Sequence, residues 1–311
     1  MHRGKLMKLV FIVGAPRSGT TWLQLLLSQS EHISTAQETH LFNEYLVSLE
    51  QSWRSHQNDV RSRGLQALYS REQFTALKRG ISDDVFRRIL GNKKSASIVL
   101  EKTPDHVYSW EEILDLYPNA YFIHLVRDPR AVVASMRATG REWKNPWARA
   151  GVGGLSKLWS SSVEAAEQIS HATQNFRELK YETLSSNILY ETWSWLCLEE
   201  TPDAAEAAFR ACALQNLKTA TEGPQFQPWD VQSEPPAMLR KGENDSWTSE
   251  LSSSEIAIVE SICRPLMKKY SYQIIGQNTP LKYRAYCVAE AIARRSENFA
   301  RQLFRAARKA M

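Results

Sequence analysis

The sequence lacks any apolar run approaching the roughly 20 residues that a membrane-spanning helix requires. The first apolar stretch, Leu9–Val13, falls short of the roughly 7–15 residues of a secretory core. It runs straight into a turn, so it reads as the first strand of a fold. Cysteine is scarce: four residues, at positions 197, 212, 263 and 287, show no C-x-x-C spacing. That argues against a disulfide framework or a thiolate metal site and fits a reducing, cytoplasmic setting. A net basic charge is also missing from most of the chain. The net charge is +5, but residues 281–311 hold eight Lys/Arg and two Glu, which leaves the other 280 residues near neutrality. A nucleic-acid footprint spread over the body is thereby excluded. Repeats and low-complexity tracts are absent as well.

What is present reads as an ordinary globular composition, 43% hydrophobic and 23% charged, with an unusual ten tryptophans. Three continuous apolar runs, Leu9–Val13, Ser97–Leu100 and Tyr121–Val126, have the character of strands buried on both faces. Helical periodicity separates or follows them at Thr21–Ser28, Arg71–Leu90, Ser109–Leu116, Leu155–Ala172 and Leu189–Leu214. Another helix starts at Asp128-Pro129, and a last one near Ser252, with Ser254 and Glu255 as start signals. The alternation predicts an α/β fold: a P-loop-like parallel β-sheet flanked by helices on both faces. One domain over 1–280 is expected, followed by a C-terminal extension over 281–311. In the extension Val288, Ile292, Phe299 and Leu303 recur at helical spacing among arginines. Such a basic amphipathic helix suits peripheral membrane contact, self-association or packing on its own domain.

The stretch KLVFIVGAPRSGTTWLQLLLSQ, Lys8–Gln29, carries the first chemical signal. A strand, a turn bounded by Gly14 and Gly19, and a helix aim several backbone N–H groups and a helix dipole at one point, which suits a phosphate-like anion. Arg17, Ser18, Thr20 and Thr21 add a charge and three hydroxyls. A nucleotide-hydrolysing loop reads G-x-x-x-x-G-K-[ST], yet Thr20 stands where its lysine belongs. Asp128 is the one acidic residue near the end of the third strand run, and Arg127 and Arg130 flank it. A metal-free transfer is expected.

At these residues the chain resembles the sulfotransferases that use 3′-phosphoadenylyl sulfate (PAPS). GAPRSGTTW is similar to that family's 5′-phosphosulfate loop, and Trp22 to its adenine-stacking residue. YFIHLVRDPRAVVASM resembles its 3′-phosphate motif, which implies Arg127 and Ser135 as phosphate ligands. LKYETL is similar to the segment that sets a tyrosine, here Tyr181, beside the adenine. LRKGENDSWTSELSSSEI resembles its late R-K-G loop, which implies Arg240, Lys241 and Gly242. The four motifs occur in family order from Val13 to about Tyr272. The resemblance implies sulfuryl transfer from PAPS to an acceptor hydroxyl with release of adenosine 3′,5′-bisphosphate (PAP).

LEKTPDH, Leu100–His106, resembles the family's E-K-[ST]-P stretch and implies that Lys102 stabilises the oxygen left behind by the sulfuryl group. QETHLF, Gln37–Phe42, is similar to a segment whose glutamate is the general base. The ranking for the base is therefore Glu38, then His106, then His40. A carboxylate suits that work when burial raises its pKa. Acceptor choice is assigned to the least family-like parts, 43–94, 137–155 and the proline-rich 219–238, where Trp53, Trp143, Trp147 and Trp229 are either acceptor walls or core. The acceptor is a small molecule, carbohydrate or lipid. Two other readings are a P-loop kinase using ATP and magnesium, and a non-catalytic nucleotide-binding or membrane-associated scaffold.

Overall fold

The computed structural model describes residues 7–56, 64–143, 150–213 and 245–275, with side chains to 140 in the second stretch. The chain divides into two compact units, residues 1–127 with 161–243, and residues 128–160 with 244–311.

The apolar runs become strands because each can bury both of its faces. In β1 (Lys8–Val13), Leu9, Phe11 and Val13 point into one core while Val10 and Ile12 point into the other. The first unit builds on this strand. It is a five-stranded parallel sheet in the order β2-β3-β1-β4-β5, with β2 Ile33–Thr35, β3 Ile98–Lys102, β4 Tyr121–Val126 and β5 Phe176–Lys180. One face is covered by α1 (Thr20–Leu27), α7 (Ser186–Trp195) and α8 (Pro202–Ala211), whose Leu23, Leu26, Trp193 and Ala205 pack on Ile12, Leu100 and Leu125. The other face meets α3 (Arg71–Gly91), α4 (Trp110–Leu116) and the end of α6 (Val152–Ala172) through Phe86, Ile113 and Ile169. There Phe11 stacks on Phe122 at 5.6 Å between ring centroids and meets Phe42 edge-on at 5.8 Å. A fully buried side chain of this size contributes about 1.5–3 kcal/mol. The predicted parallel sheet with helices on both faces is what forms.

Three expectations need correction. The single helix over Leu189–Leu214 is two helices. Cys197 takes a left-handed backbone (φ 62°) after α7, and Thr201 caps α8 by accepting from the Ala204 N–H at 3.1 Å, with Pro202 in the first turn. Two edge strands escaped the sequence reading. β2 has three residues, and in β5 (FRELK) only Leu179 is buried, so neither carries an apolar run. The last helix begins near Ser252 as expected, but Ser252 itself is the cap, two residues before Ser254, in a reciprocal capping box with Glu255.

The second unit contains α5 (Pro129–Trp143), a short helical turn at Trp247–Glu250, and α9 (Ser253–Lys269). Its centre is Arg130, buried, donating to both Asp128 oxygens at 3.0 and 2.6 Å and to Glu260 at 2.7 Å, and lying 3.9 Å from the Trp247 ring centroid. No described helix is long and apolar enough to cross a membrane. The tail over 281–311 and the proline-rich segment 219–238 lie outside the described residues.

Candidate active site

The loop between β1 and α1 depends on its glycines. Gly14 (φ 149°) has no room for a Cβ, which would stand 2.9 Å from the Leu125 carbonyl oxygen. Gly19 (φ 99°) lies against Tyr181, and a Cβ there would come within 2.5 Å of the ring. Arg17 is also left-handed (φ 71°), a conformation costing an L-residue roughly 1–2 kcal/mol. The Ser18 hydroxyl donates to the Ala15 carbonyl at 2.6 Å, and the Gly14 N–H donates to the Pro104 carbonyl at 3.4 Å. That second bond ties the loop to the end of β3. Thr20 opens α1, whose first turn has no acidic residue to offset its N–H groups. The loop is thus a built turn with Arg17, Ser18, Gly19, Thr20, Thr21 and Trp22 in sequence around it.

An aromatic group flanks the loop. The Trp22 indole N–H donates to the Cys212 carbonyl at 2.9 Å, and its ring lies 5.5 Å from Tyr181 and 5.4 Å from Phe209. The Arg127 guanidinium sits 4.0 Å over the Tyr181 ring, close enough for a cation–π contact. Gly19, Trp22, Arg127 and Tyr181 are therefore one cluster. Ser135 is on α5 in the second unit, buried, with its carbonyl accepting from the Thr139 hydroxyl at 2.9 Å. Arg240, Lys241 and Gly242 lie outside the described residues. Asp128 accepts from Nε and Nη2 of Arg130, one on each carboxylate oxygen.

The end of β3 holds the other candidates. Lys102 pairs in register with Ile12, two residues before Gly14, and is 3% exposed. Its ammonium donates to Glu38, which lies just beyond β2 and is about a third exposed. His40 approaches the other Glu38 oxygen at 3.5 Å and Glu44 at 3.5 Å. Burial pushes the Glu38 carboxyl up, but its hydrogen bond to His40 and the charge of Lys102 outweigh that and hold it below the usual 4.5. This reverses the direction expected for a general base. Its hydrogen bond to Glu38 in turn pushes His40 above 6.5.

His106 drops out of the candidate bases. It is fully buried; its Nδ1 faces Glu101 at 2.8 Å and its Nε2 accepts the Phe42 N–H at 3.2 Å. Both ring nitrogens are thus engaged within the protein. Trp53 is core as well, stacked on Phe74 at 4.2 Å. The side chains of Trp143, Trp147 and Trp229 lie outside the described residues.

The family model for the Sulfotransferase family matches residues 10–191, more than half of the chain. The chain belongs to the sulfotransferase family. Among curated proteins, protein-tyrosine sulfotransferase 1 of Rattus norvegicus is 32% identical over 141 residues, which is 42% of this chain and 34% of that protein. The protein-tyrosine sulfotransferase of Drosophila melanogaster is 30% identical over 131 residues, 42% of this chain and 25% of that one. The matched region thus spans about a third or less of these relatives' length. Two solved structures share the fold. A sulfotransferase domain from the curacin biosynthetic pathway superposes with a TM-score of 0.54 at 18% identity, covering 87% of this chain and 99% of that one. A mouse sulfotransferase complexed with PAP gives 0.52 at 15% identity, covering 86% of each.

In this member of the family, the sequence motifs leave Thr39, Glu101, Thr103 and Asp105 without a role. Glu101 stands in the LEKTPDH stretch without a role there, yet it accepts from Thr39 Oγ1 at 2.8 Å and Thr103 Oγ1 at 2.7 Å and faces His106 Nδ1. Burial pushes its carboxyl up, but His106 and the two hydroxyls hold it down at about 2. Asp105 is pushed up by burial and by the nearby Glu38 charge. The available signal was strand alternation: in -Glu101-Lys102- consecutive side chains must leave on opposite faces.

Proposed function

We propose that the chain transfers a sulfuryl group from PAPS to an acceptor hydroxyl and releases PAP. The observation that carries this is the Lys102–Glu38 pair at the strand ends, in register with the last residues before a lysine-free anion loop. Transfer makes one bond from the acceptor oxygen to sulfur and breaks the bond between sulfur and the 5′-phosphate oxygen. Glu38 receives the acceptor proton, and Lys102 offsets the charge developing on the departing oxygen. His40 is the remaining alternative to Glu38. The loop from Arg17 to Thr21 receives the 5′-phosphosulfate, and Trp22 and Tyr181 flank the adenine. Arg127 binds the 3′-phosphate, with Ser135, Arg240, Lys241 and Gly242 joining it on the strength of the sequence motifs. The full pairing of Asp128 with Arg130 supports a transfer without a metal at that carboxylate.

The acceptor is a small molecule, sugar or lipid hydroxyl; the curated relatives, named as protein-tyrosine sulfotransferases, extend this to a phenol. A reducing, cytoplasmic setting is part of the same proposal, supported by the scarcity and scattered spacing of the cysteines. Titration calorimetry with PAP and with ATP, each in chelator and again with added magnesium, is the test. Binding of PAP alone is expected. ATP binding that requires magnesium would support a kinase, and PAP binding without turnover on any phenol, sugar or lipid acceptor would support a scaffold.

A further inference from the structure

The segment carrying the proposed base is held by a buried carboxylate, Glu101. Four consecutive amides are each held by a side chain. The Thr39 N–H donates to Glu101 at 3.3 Å, the His40 N–H to Thr103 Oγ1 at 3.3 Å, the Leu41 N–H to Thr39 Oγ1 at 3.2 Å, and the Phe42 N–H to His106 Nε2 at 3.2 Å. Three of the holders, Glu101, Thr103 and His106, are bonded to one another through the Glu101 carboxylate. The fourth, Thr39, donates its hydroxyl to the same carboxylate at 2.8 Å. His40 sits at φ 51° in the middle of this turn, a conformation that persists only when its surroundings over-determine it.

Strand alternation then divides the labour. Glu101 leaves β3 on one face and grips the turn, while Lys102 leaves on the other and meets Glu38, the residue just before the gripped amides. We propose that Glu101, acting through Thr39, is a positioning residue that fixes Glu38 opposite Lys102; this rests on Glu38 and Lys102 forming the transfer centre. Glu101, Thr103 and His106 are buried and Thr39 is half-buried; none of the four bonds on the turn reaches the anion loop, so the clamp sets the reacting geometry without contributing to donor binding. A base displaced by about 1 Å loses on the order of 100-fold in rate.

The test uses the full chain and the pair Thr39→Val and Thr39→Ser, with Glu101→Gln beside them. Turnover with PAPS and PAP affinity are both measured. Thr39→Val keeps the shape and loses the hydroxyl, so kcat is expected to fall about 100-fold with PAP affinity unchanged, and Thr39→Ser to restore most of it. Glu101→Gln should follow Thr39→Val. Unchanged kcat in Thr39→Val overturns the inference. So does a Thr39→Ser that falls as far as Thr39→Val, or a loss that tracks PAP affinity or unfolding, because each makes the hydroxyl merely structural. A wild-type chain that fails to transfer sinks the reading of function itself and takes this inference with it. A transferring wild type with an indifferent Thr39→Val sinks this inference alone.

Discussion

Two buried lysines of the first unit invite comparison. Lys78 and Lys102 are both 3% exposed, and both donate to a glutamate. Lys78 on α3 is enclosed: Glu50 accepts at 2.8 Å and Glu112 at 2.7 Å, and Glu50 is in turn held by Arg54 and Arg71 at 2.9 Å each. Lys102 has Glu38 as its hydrogen-bond partner among the described residues, and Glu38 is open to solvent over a third of its surface. The first network closes on itself and staples α2 (Val47–Ser55), α3 and α4 together. The second stays open to solvent at Glu38. A buried charge with every partner supplied by the protein serves the fold, whereas one whose pairing is left exposed is available to something that arrives.

The sharpest way to break this comparison is to remove each lysine in turn. Lys78→Ala leaves two carboxylates facing each other in a closed site, and losing one partner of a buried pair costs about 3–5 kcal/mol. Chemical denaturation should show that loss, while turnover per folded molecule stays at the wild-type level. Equal destabilisation by Lys102→Ala would erase the distinction.

Lys102→Ala is expected to do the reverse. Glu38 can rehydrate through its exposed side, and an ion pair with a solvent-accessible partner contributes little to stability. The loss should appear in kcat, at about 100-fold to 1,000-fold for removal of one charge-stabilising donor, with PAP affinity within a few-fold of wild type by titration. A kcat near the wild-type value would remove Lys102 from the transfer.

The sequence was legible where physics acts on neighbours in the chain. β1, β3 and β4 announced themselves because central strands bury both faces and so read as unbroken apolar runs, and the loop announced itself through Gly14 and Gly19. β5 stayed hidden because an edge strand needs only Leu179 inside. The site was legible as far as strand ends go: Lys102, Glu38, Arg127 and Trp22 each stand beside a strand or at the start of a helix. What stayed illegible was which polar residues satisfy one another across the fold. His106 entered the ranking because an imidazole is by its nature suited to general-base work. Only the approach of the Phe42 amide and of Glu101, residues 64 and five positions away in sequence, shows that both of its nitrogens are committed.

The smallest effect sharpens the open network by asking which of its two titratable groups takes the proton. The acid limb of kcat/KM reports the base of the free enzyme. Glu38 is held below 4.5 by His40 and Lys102, whereas its hydrogen bond to Glu38 pushes His40 above 6.5. A glutamate base therefore gives a rate that is flat from pH 8 to pH 5 and falls only below 4.5; a histidine base gives a fall that begins above 6.5. The fold survives this window. Glu50 and Glu101 are both held at about 2 against an ordinary 4.5, so their contributions to stability are complete above pH 4.5 and are lost only as the pH drops toward 2. Glu38→Gln separates the cases further, since it removes the hydrogen bond that raises His40. A limb that moves down toward 6.5 in that variant, with kcat preserved, assigns the base to His40. Loss of turnover at every pH assigns it to Glu38.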